Sequence, residues 1–526
     1  LDEPKKKIFI KQDLCEGCGD CGIQSNCVSI APIETEYGRK RQIDQSSCNK
    51  DYTCVDGFCP SFVSLEGEIR IKKNYDENLI NKINSKIEEP ILPEINKSYG
   101  IMIAGIGGTG VVTIGAVLAT AAQIDGRGSG VLDMTGLAQK GGAVKSFLRI
   151  FEKPEDVGAI RLSYGDTNLL LGFDLLVSND LEIIKTLDKK ISKLIINTDE
   201  VMPGDFTRDK DFYLPFEEMR NNLINIAGLE NIKFISSNKI TSKILGNSIL
   251  SNMFNVGVAY QSGLIPISAS SIEKAIELNG ASVKDNIDAF RFGRHYENLK
   301  EEVINIVKDE PEILEGFDAK YQNRFKFLED YQNKKYAQNY EDLVSYAKKV
   351  DKEVGNGSQF STAVLKNYFK LMAYKDEYEV SRLMTNKKFS DDINKNFEGN
   401  FSYNFYLAPP IFSKKSKVDG KLLKIKFGGW LFNVFKLISK FKFLRGTKFD
   451  PFGYLNERKK ERELIRDYKQ TIVDIGSKIN KSNYETAVKI ASIPDQIRGF
   501  GHVKEKNIKE AINNRTDLLN SFHENS

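Results

Sequence analysis

Seven cysteines fall within the first 59 residues, and none follows them. Cys15, Cys18, Cys21 and Cys27 sit in "CEGCGDCGIQSNC", and Cys48, Cys54 and Cys59 in "CNKDYTCVDGFCP". Three chemistries use dense cysteines. Disulfides suit small secreted chains, whereas here a long cysteine-free chain follows and no secretory signal opens the sequence. Zinc usually takes two separated C-x2-C pairs as a tetrahedral S4 set. Cys15, Cys18 and Cys21 instead form an unbroken C-x2-C-x2-C, which wraps one loop so that three thiolates face three corners of a single cube. Iron–sulfur ligation is therefore the reading, with zinc as the structural alternative.

The pairing follows the bacterial ferredoxin pattern, in which the last cysteine of each run serves the other cluster. Cys59 precedes Pro60, the Cys-Pro ending of such runs. One [4Fe-4S] cluster then takes Cys15, Cys18, Cys21 and Cys59. The other takes Cys27, Cys48, Asp51 and Cys54, since steps of three from Cys48 put an aspartate at the eighth ligand position. The gap between Cys21 and Cys27 is longer than usual. A carboxylate is a harder ligand than a thiolate and holds iron less firmly. The second site is thus an Asp-ligated [4Fe-4S] cluster, a [3Fe-4S] cluster, or no cluster with Asp51 a solvated turn residue.

A second candidate site is glycine-rich. "IMIAGIGGTGVVTIGAVLATAA" supplies a strand, a G-x-G-x-x-G turn (Gly105, Gly107 and Gly110, with Gly108 between) and a helix. Asp133 lies about where a ribose-binding acid would sit in a dinucleotide site. The same glycines also serve simply to pack a helix on a sheet. Farther on, Gln139, Lys140, Gly141 and Gly142 make a turn before a strand, able to hold a phosphate or carboxylate or to be only a tight turn. No catalytic acid, base or nucleophile stands out.

These groups need elements to hold them. "KKIFI" and "KRQID" read as short strands around the cysteines, giving a small ferredoxin-like fold over 1–65. A polar connector with Pro90 and Pro93 covers 66–98. "AVKSFLRIF", "LLLGFDLLVSND", "KLIINTD" and "IKFIS" are strand candidates alternating with helical stretches, which implies an α/β, Rossmann-like open sheet over 99–300. Helical periodicity dominates 301–526. The 526 residues accommodate about three or four domains. A formal charge of +4 with 28% charged residues demands no nucleic-acid partner. Ser98 to Ile124 is uncharged and long enough to span a bilayer, but its glycines favour a buried strand–loop–helix, so no transmembrane segment is expected. The chain opens on Leu1 rather than Met, which suggests a piece of something longer or a processed subunit. A cytoplasmic location is expected.

Taken together, "CEGCGDCGIQSNC", "RKRQIDQSSCNKDYTCVDGFCPSF", "GIGGTGVVTIG" and "GLAQKGGAVKS" resemble the 2-oxoacid:ferredoxin oxidoreductases. The closest likeness is to the long fused indolepyruvate ferredoxin oxidoreductases, and "LMAYKDEYEVSRL", "YNFYLAPP", "LRGTKFDPFGY" and "IRGFGHVKEKN" extend it to the C-terminal part. The resemblance implies a ferredoxin-like domain, a γ-type catalytic domain and a helical C-terminal domain of obscure role. It also implies oxidative decarboxylation of an aryl-pyruvate to an acyl-CoA, with thiamine diphosphate, coenzyme A as substrate, ferredoxin as acceptor, and an oligomer. No thiamine-diphosphate motif occurs, and "YGDTN" does not match one. That cofactor belongs to an upstream segment or a partner subunit. The resemblance turns the glycine loop from nicotinamide toward coenzyme A phosphate or an interface. The alternatives are an NAD- or flavin-linked iron–sulfur subunit and a non-catalytic electron carrier.

Between Ser413 and Lys448 eleven Lys or Arg face one acid, Asp419, with six aromatics interleaved. Such lysines usually snorkel from a helix whose aromatics fill a core, and less often the stretch docks on a membrane or an acidic partner. His502, beside glycines, reads as a packed side chain.

Overall fold

The computed structural model describes residues 5–73, 77–136, 142–307, 313–409 and 422–524. Twelve strands occur among the described residues. β1 (Lys6–Ile10), β2 (Ile30–Ile33), β3 (Lys40–Ile43) and β4 (Phe62–Ile71) belong to the cysteine segment. β5 (Ser98–Ile106), β6 (Gly128–Thr135), β7 (Ala143–Phe151), β8 (Leu169–Gly172), β9 (Lys193–Asn197) and β10 (Ile232–Ile235) follow. β11 (Phe397–Leu407) and β12 (Ile425–Phe427) lie far downstream. The chain divides into two compact units that do not follow chain order. One comprises Leu1–Ile43, Lys50–Arg70 and Pro311–Ser526, and the other Asp44–Asn49 and Ile71–Glu310.

The second unit is an α/β sheet of order β10-β9-β8-β5-β7-β6. β10, β9, β8 and β5 are mutually parallel, while β7 runs antiparallel to both β5 and β6. Central strands buried on both faces read as unbroken apolar runs, and β5 and β8 do so. Alternate residues of β5 feed different cores. Ile101 and Ile103 join the helix Val111–Ile124 on one face, and Met102 and Ala104 join Leu170, Leu175 and Leu223 on the other. Only Leu169–Gly172 of "LLLGFDLLVSND" is a strand. Asp174 then accepts from the Val177 N–H at 2.8 Å and starts the helix Leu175–Ser178.

In the first unit β1 pairs antiparallel with β4, Ile10 opposite Phe62, and β2 with β3. The four-stranded order β1-β4-β11-β12 joins β1 and β4 to chain some 300 residues later, while β2 and β3 form a sheet of their own. Side-chain alternation again splits two cores. Ile8 and Ile10 join Cys15, Cys21 and Phe62, whereas Phe9 packs with Val63, Leu65, Phe389, Phe405 and Phe435. The downstream part is mostly helical, as its periodicity implies, around Tyr340, Val344, Tyr368, Tyr468 and Ile472. A buried ion pair ties two of its quoted motifs together: Arg445 donates to Asp376 at 2.5 and 2.8 Å, lies 3.6 Å over the Tyr331 ring, and is 3% exposed.

The basic aromatic stretch is divided. On the helix Leu431–Lys440, Leu431 and Phe435 are core and Leu437 faces solvent, as do Trp430, Phe441 and Phe443 just outside its ends. Among the described residues no helix is long and apolar enough to cross a membrane.

Candidate functional site

Cys15, Cys18, Cys21 and Cys59 line one hollow, walled by Ile10, Phe58 and Phe62. Local structure explains the gathering. Cys15 ends a turn in which its N–H donates to the Lys11 carbonyl at 3.1 Å, and Cys21 sits in the first turn of the short helix Asp20–Ser25. Cys59 arrives after the 3-10 turn Thr53–Asp56. The second loop can approach only because of Gly57, where a Cβ would lie 2.7 Å from Cys21 Cα. The Phe58 N–H donates to Asp20 Oδ2 at 2.6 Å, fastening the loop that carries Cys59 to the helix that carries Cys21.

Two of the sulfurs have hydrogen-bond partners. The Gly17 N–H donates to Cys15 Sγ at 3.4 Å, and Ser61 Oγ lies 2.9 Å from Cys59 Sγ. Burial pushes the thiols of Cys18 and Cys21 up, and the neighbouring Cys59 and Cys15 add to it. Burial raises Cys59 as well, against the pull of Lys424. Four acidic groups crowded in a buried hollow do not ionise together unless a cationic centre compensates them, and a metal core does that outright. Among the described residues no three His, Cys, Asp or Glu converge on the point a single ion would need. A cube spreads its four thiolates over four irons, wider than the ligands of one ion.

Glu16, between two of the cysteines, is the charged anchor. Burial would raise its carboxyl, but Lys375, 3.2 Å away, with Lys40, Lys504 and Lys370, holds it down at about 2.

The remaining cluster candidates are placed differently. Cys27, Asp51 and Cys54 lie in the first unit and Cys48 in the second, where Ser248 N–H donates to Ser46 Oγ at 3.0 Å. Asp51 is exposed, and its Oδ1 accepts from the Thr53 N–H and hydroxyl, both at 3.1 Å, closing a turn.

In the glycine loop the residues serve packing. A Cβ on Gly105 would lie 2.7 Å from Val111 Cγ2 and 3.2 Å from Phe173 Cβ. Gly107 N–H donates to the Gly142 carbonyl at 2.7 Å. Gly108 and Gly110 have φ of +86° and +89°. The helix that follows has no side-chain cap. Gln139, Lys140 and Gly141 lie outside the described residues. The expectation for Asp133 is corrected. Its carboxylate accepts from Ser146 on β7, and β7 separates β6 from β5. In a dinucleotide crevice the acid-bearing strand is the immediate neighbour of the glycine-loop strand.

Three groups beside the cysteines lie far from them in the chain. Lys424 donates to the Val55 and Gly57 carbonyls, both at 2.7 Å. His502 packs on Phe58 with ring centroids 4.7 Å apart, and Lys375 pairs with Glu16. "RGFGH" hinted at His502, because the two glycines just before it suggest close approach.

Residues 100–296 match the family described as pyruvate ferredoxin/flavodoxin oxidoreductase, and residues 317–516 a family of unknown function (DUF6537). The indolepyruvate oxidoreductase subunit IorB of Methanothermobacter thermautotrophicus is 27% identical over 200 residues, covering 37% of this chain and 96% of the relative. The subunit of that name from Archaeoglobus fulgidus is 25% identical over 195 residues, covering 37% and 92%. Among solved structures, pyruvate oxidoreductase subunit PORC of Thermotoga maritima is 20% identical, covers 38% of this chain and 96% of its own, and superposes with a TM-score of 0.28. At this modest identity, residues 100–296 are similar to the pyruvate ferredoxin/flavodoxin oxidoreductase family, and about two fifths of the chain is similar to curated indolepyruvate oxidoreductase subunits.

Proposed function

We propose that the chain is the iron–sulfur electron-transfer and γ-type portion of an indolepyruvate:ferredoxin oxidoreductase. The observation that carries the reading is the hollow shared by Cys15, Cys18, Cys21 and Cys59, in a chain whose residues 100–296 match an oxidoreductase family. Those four cysteines would hold one [4Fe-4S] cluster, and Cys27, Cys48, Asp51 and Cys54 a second. Bound there, such clusters accept and pass on single electrons. The chain's own residues prepare the place. The Gly17 N–H donates to Cys15, the Ser61 hydroxyl stands within hydrogen-bond reach of Cys59, and Ile10, Phe58 and Phe62 keep water away. The uncapped first turn after Gly110, with Gln139, Lys140, Gly141 and Gly142, is assigned to coenzyme A phosphate or to a subunit interface. Carbon chemistry on the 2-oxoacid belongs to thiamine diphosphate in an upstream segment or partner subunit, and ferredoxin takes the electrons. The assembly is an oligomer in the cytoplasm.

The test is electron delivery. The full chain, purified without oxygen and reduced by dithionite, is freed of reductant and mixed with oxidised bacterial ferredoxin or with NAD+. Reduction of ferredoxin by the wild type and not by Cys21→Ser is expected. Reoxidation by NAD+, or a flavin spectrum in the purified protein, would replace this reading with the nicotinamide or flavin one. Indolepyruvate, coenzyme A and thiamine diphosphate added to this chain alone should release no carbon dioxide, and turnover would overturn the assignment of thiamine chemistry elsewhere.

A further inference from the structure

The region matched by a family of unknown function reaches the cysteine hollow from several directions. β11 lies along β4, and buried Lys11, four residues before Cys15, pairs with Asp392 at 2.6 Å. Lys375 pairs with Glu16 inside the first cysteine run at 3.2 Å. From the C-terminal end, Gly499 comes so close that a Cβ there would lie 3.3 Å from Cys18 Cβ. His502 lies against Phe58, the residue before Cys59. Lys424 holds the turn before Cys59 through the Val55 and Gly57 carbonyls, each at 2.7 Å, and its Nζ lies 4.8 Å over the Phe62 ring. Burial pushes the Lys424 pKa down, while the neighbouring Cys59, Asp56, Cys21 and Cys54 pull it back up.

We infer that residues 317–516 complete the iron–sulfur site: they form its outer wall and lay the Lys424 ammonium on the turn that leads into Cys59 to favour the reduced state. The inference rests on the cluster assigned above to Cys15, Cys18, Cys21 and Cys59. An added electron makes a four-thiolate cluster more negative, and a cation held in a poorly solvated wall favours that state more than a neutral side chain there would. The aromatic contact of His502 with Phe58 keeps oxygen and water from the same face. Lys424 is a positioning residue, since neither its contacts nor its role requires it to touch iron.

The experiment compares the anaerobic full-length wild type, Lys424→Met and Lys424→Arg in redox titrations followed by EPR, with iron counted in each. Lys424→Met should titrate at a more negative potential with unchanged iron, and Lys424→Arg should stay near the wild type. An unmoved potential in Lys424→Met with its iron intact would overturn the role of the charge. Independently, His502→Ala should lose its visible absorption faster in air, and a wild-type rate would overturn the wall. If the wild type itself shows no iron–sulfur signal, the cluster assignment fails, and this inference with it.

Discussion

The two units position their chemistry by opposite means. In the unit of the six-stranded sheet the glycine loop is built by contiguous chain: β5, the turn and the helix Val111–Ile124 follow one another, and Gly105 is filled against by Val111 six residues on. In the cysteine unit the ligand loops are short, share one small core, and are held from far away. Lys11 reaches Asp392 across 381 residues, and Glu36 reaches Arg324 across 288. A small cysteine loop buries too little apolar surface to hold itself. Its cysteines pack with Ile8, Ile10, Phe62 and the distant Tyr406, and Leu14 reaches into the core of Phe389, Phe405 and Phe435. A motif of local spacing therefore reveals the ligands, and only distant contacts reveal what keeps them in place.

The largest effect that would break this contrast is loss of the cluster. Cys21→Ser should remove about four irons per chain, whereas Gly105→Val should leave the iron count unchanged. Next is the buried pair of the cysteine unit. Arg445→Met leaves Asp376 buried and unpaired, and chemical denaturation should show a loss of about 3–5 kcal/mol. Gly105→Val overpacks the other unit against Val111 and Phe173, with an expected cost of about 1–3 kcal/mol. Its effect should fall on a transition separate from the one moved by Arg445→Met.

A pH test sharpens the sheet unit. Burial pushes the Asp174 carboxyl up to about 6, above its ordinary value, although the backbone N–H groups of Val177 and Leu176 pull it down. Between roughly pH 4 and 6 the folded state keeps a proton that the unfolded state has lost. Stability therefore falls as pH rises through that window. Asp174→Asn keeps the acceptor for Val177 and should remove this slope, with a gain on the order of 1 kcal/mol above pH 6 and little below pH 4. Urea midpoints at both pH values check it. Glu16 in the cysteine unit has the opposite sign: its carboxyl, held at about 2, contributes stability above the unfolded carboxylate range that is lost as pH falls toward 2.

The smallest structural effect is expected at Asp51. Being exposed, Asp51→Ala should change stability by only about 0.5 kcal/mol. If it ligates iron, the variant should keep a three-iron EPR signal that in the wild type disappears on adding iron and reductant. A wild type without that signal under mild oxidation would leave Asp51 as the turn residue its contacts with Thr53 describe.

What could be read from the sequence was what local spacing encodes. The C-x2-C-x2-C run, the strand–glycine–helix and the apolar runs of β5, β8 and β9 are all short-range patterns. β11 escaped because helical periodicity surrounds it, although Phe401, Tyr403, Phe405 and Leu407 alternate with period two. The place of β6 escaped for another reason. Alternation of strands and helices says nothing of β7 folding back between β5 and β6. Asp376 and Arg445, 69 residues apart, carry no joint signal in one sequence.

Cys59 decides the central claim, because it lies 38 residues after Cys21 and yet faces the same hollow. EPR and iron analysis of the dithionite-reduced, anaerobically reconstituted chain should give roughly eight irons if both four-iron clusters form. Cys18→Ser and Cys59→Ser should each abolish the same cluster signal and remove about four irons. If Cys59→Ser instead removes a different signal from Cys18→Ser, or leaves the iron unchanged, the four cysteines do not form one site and the account is contradicted.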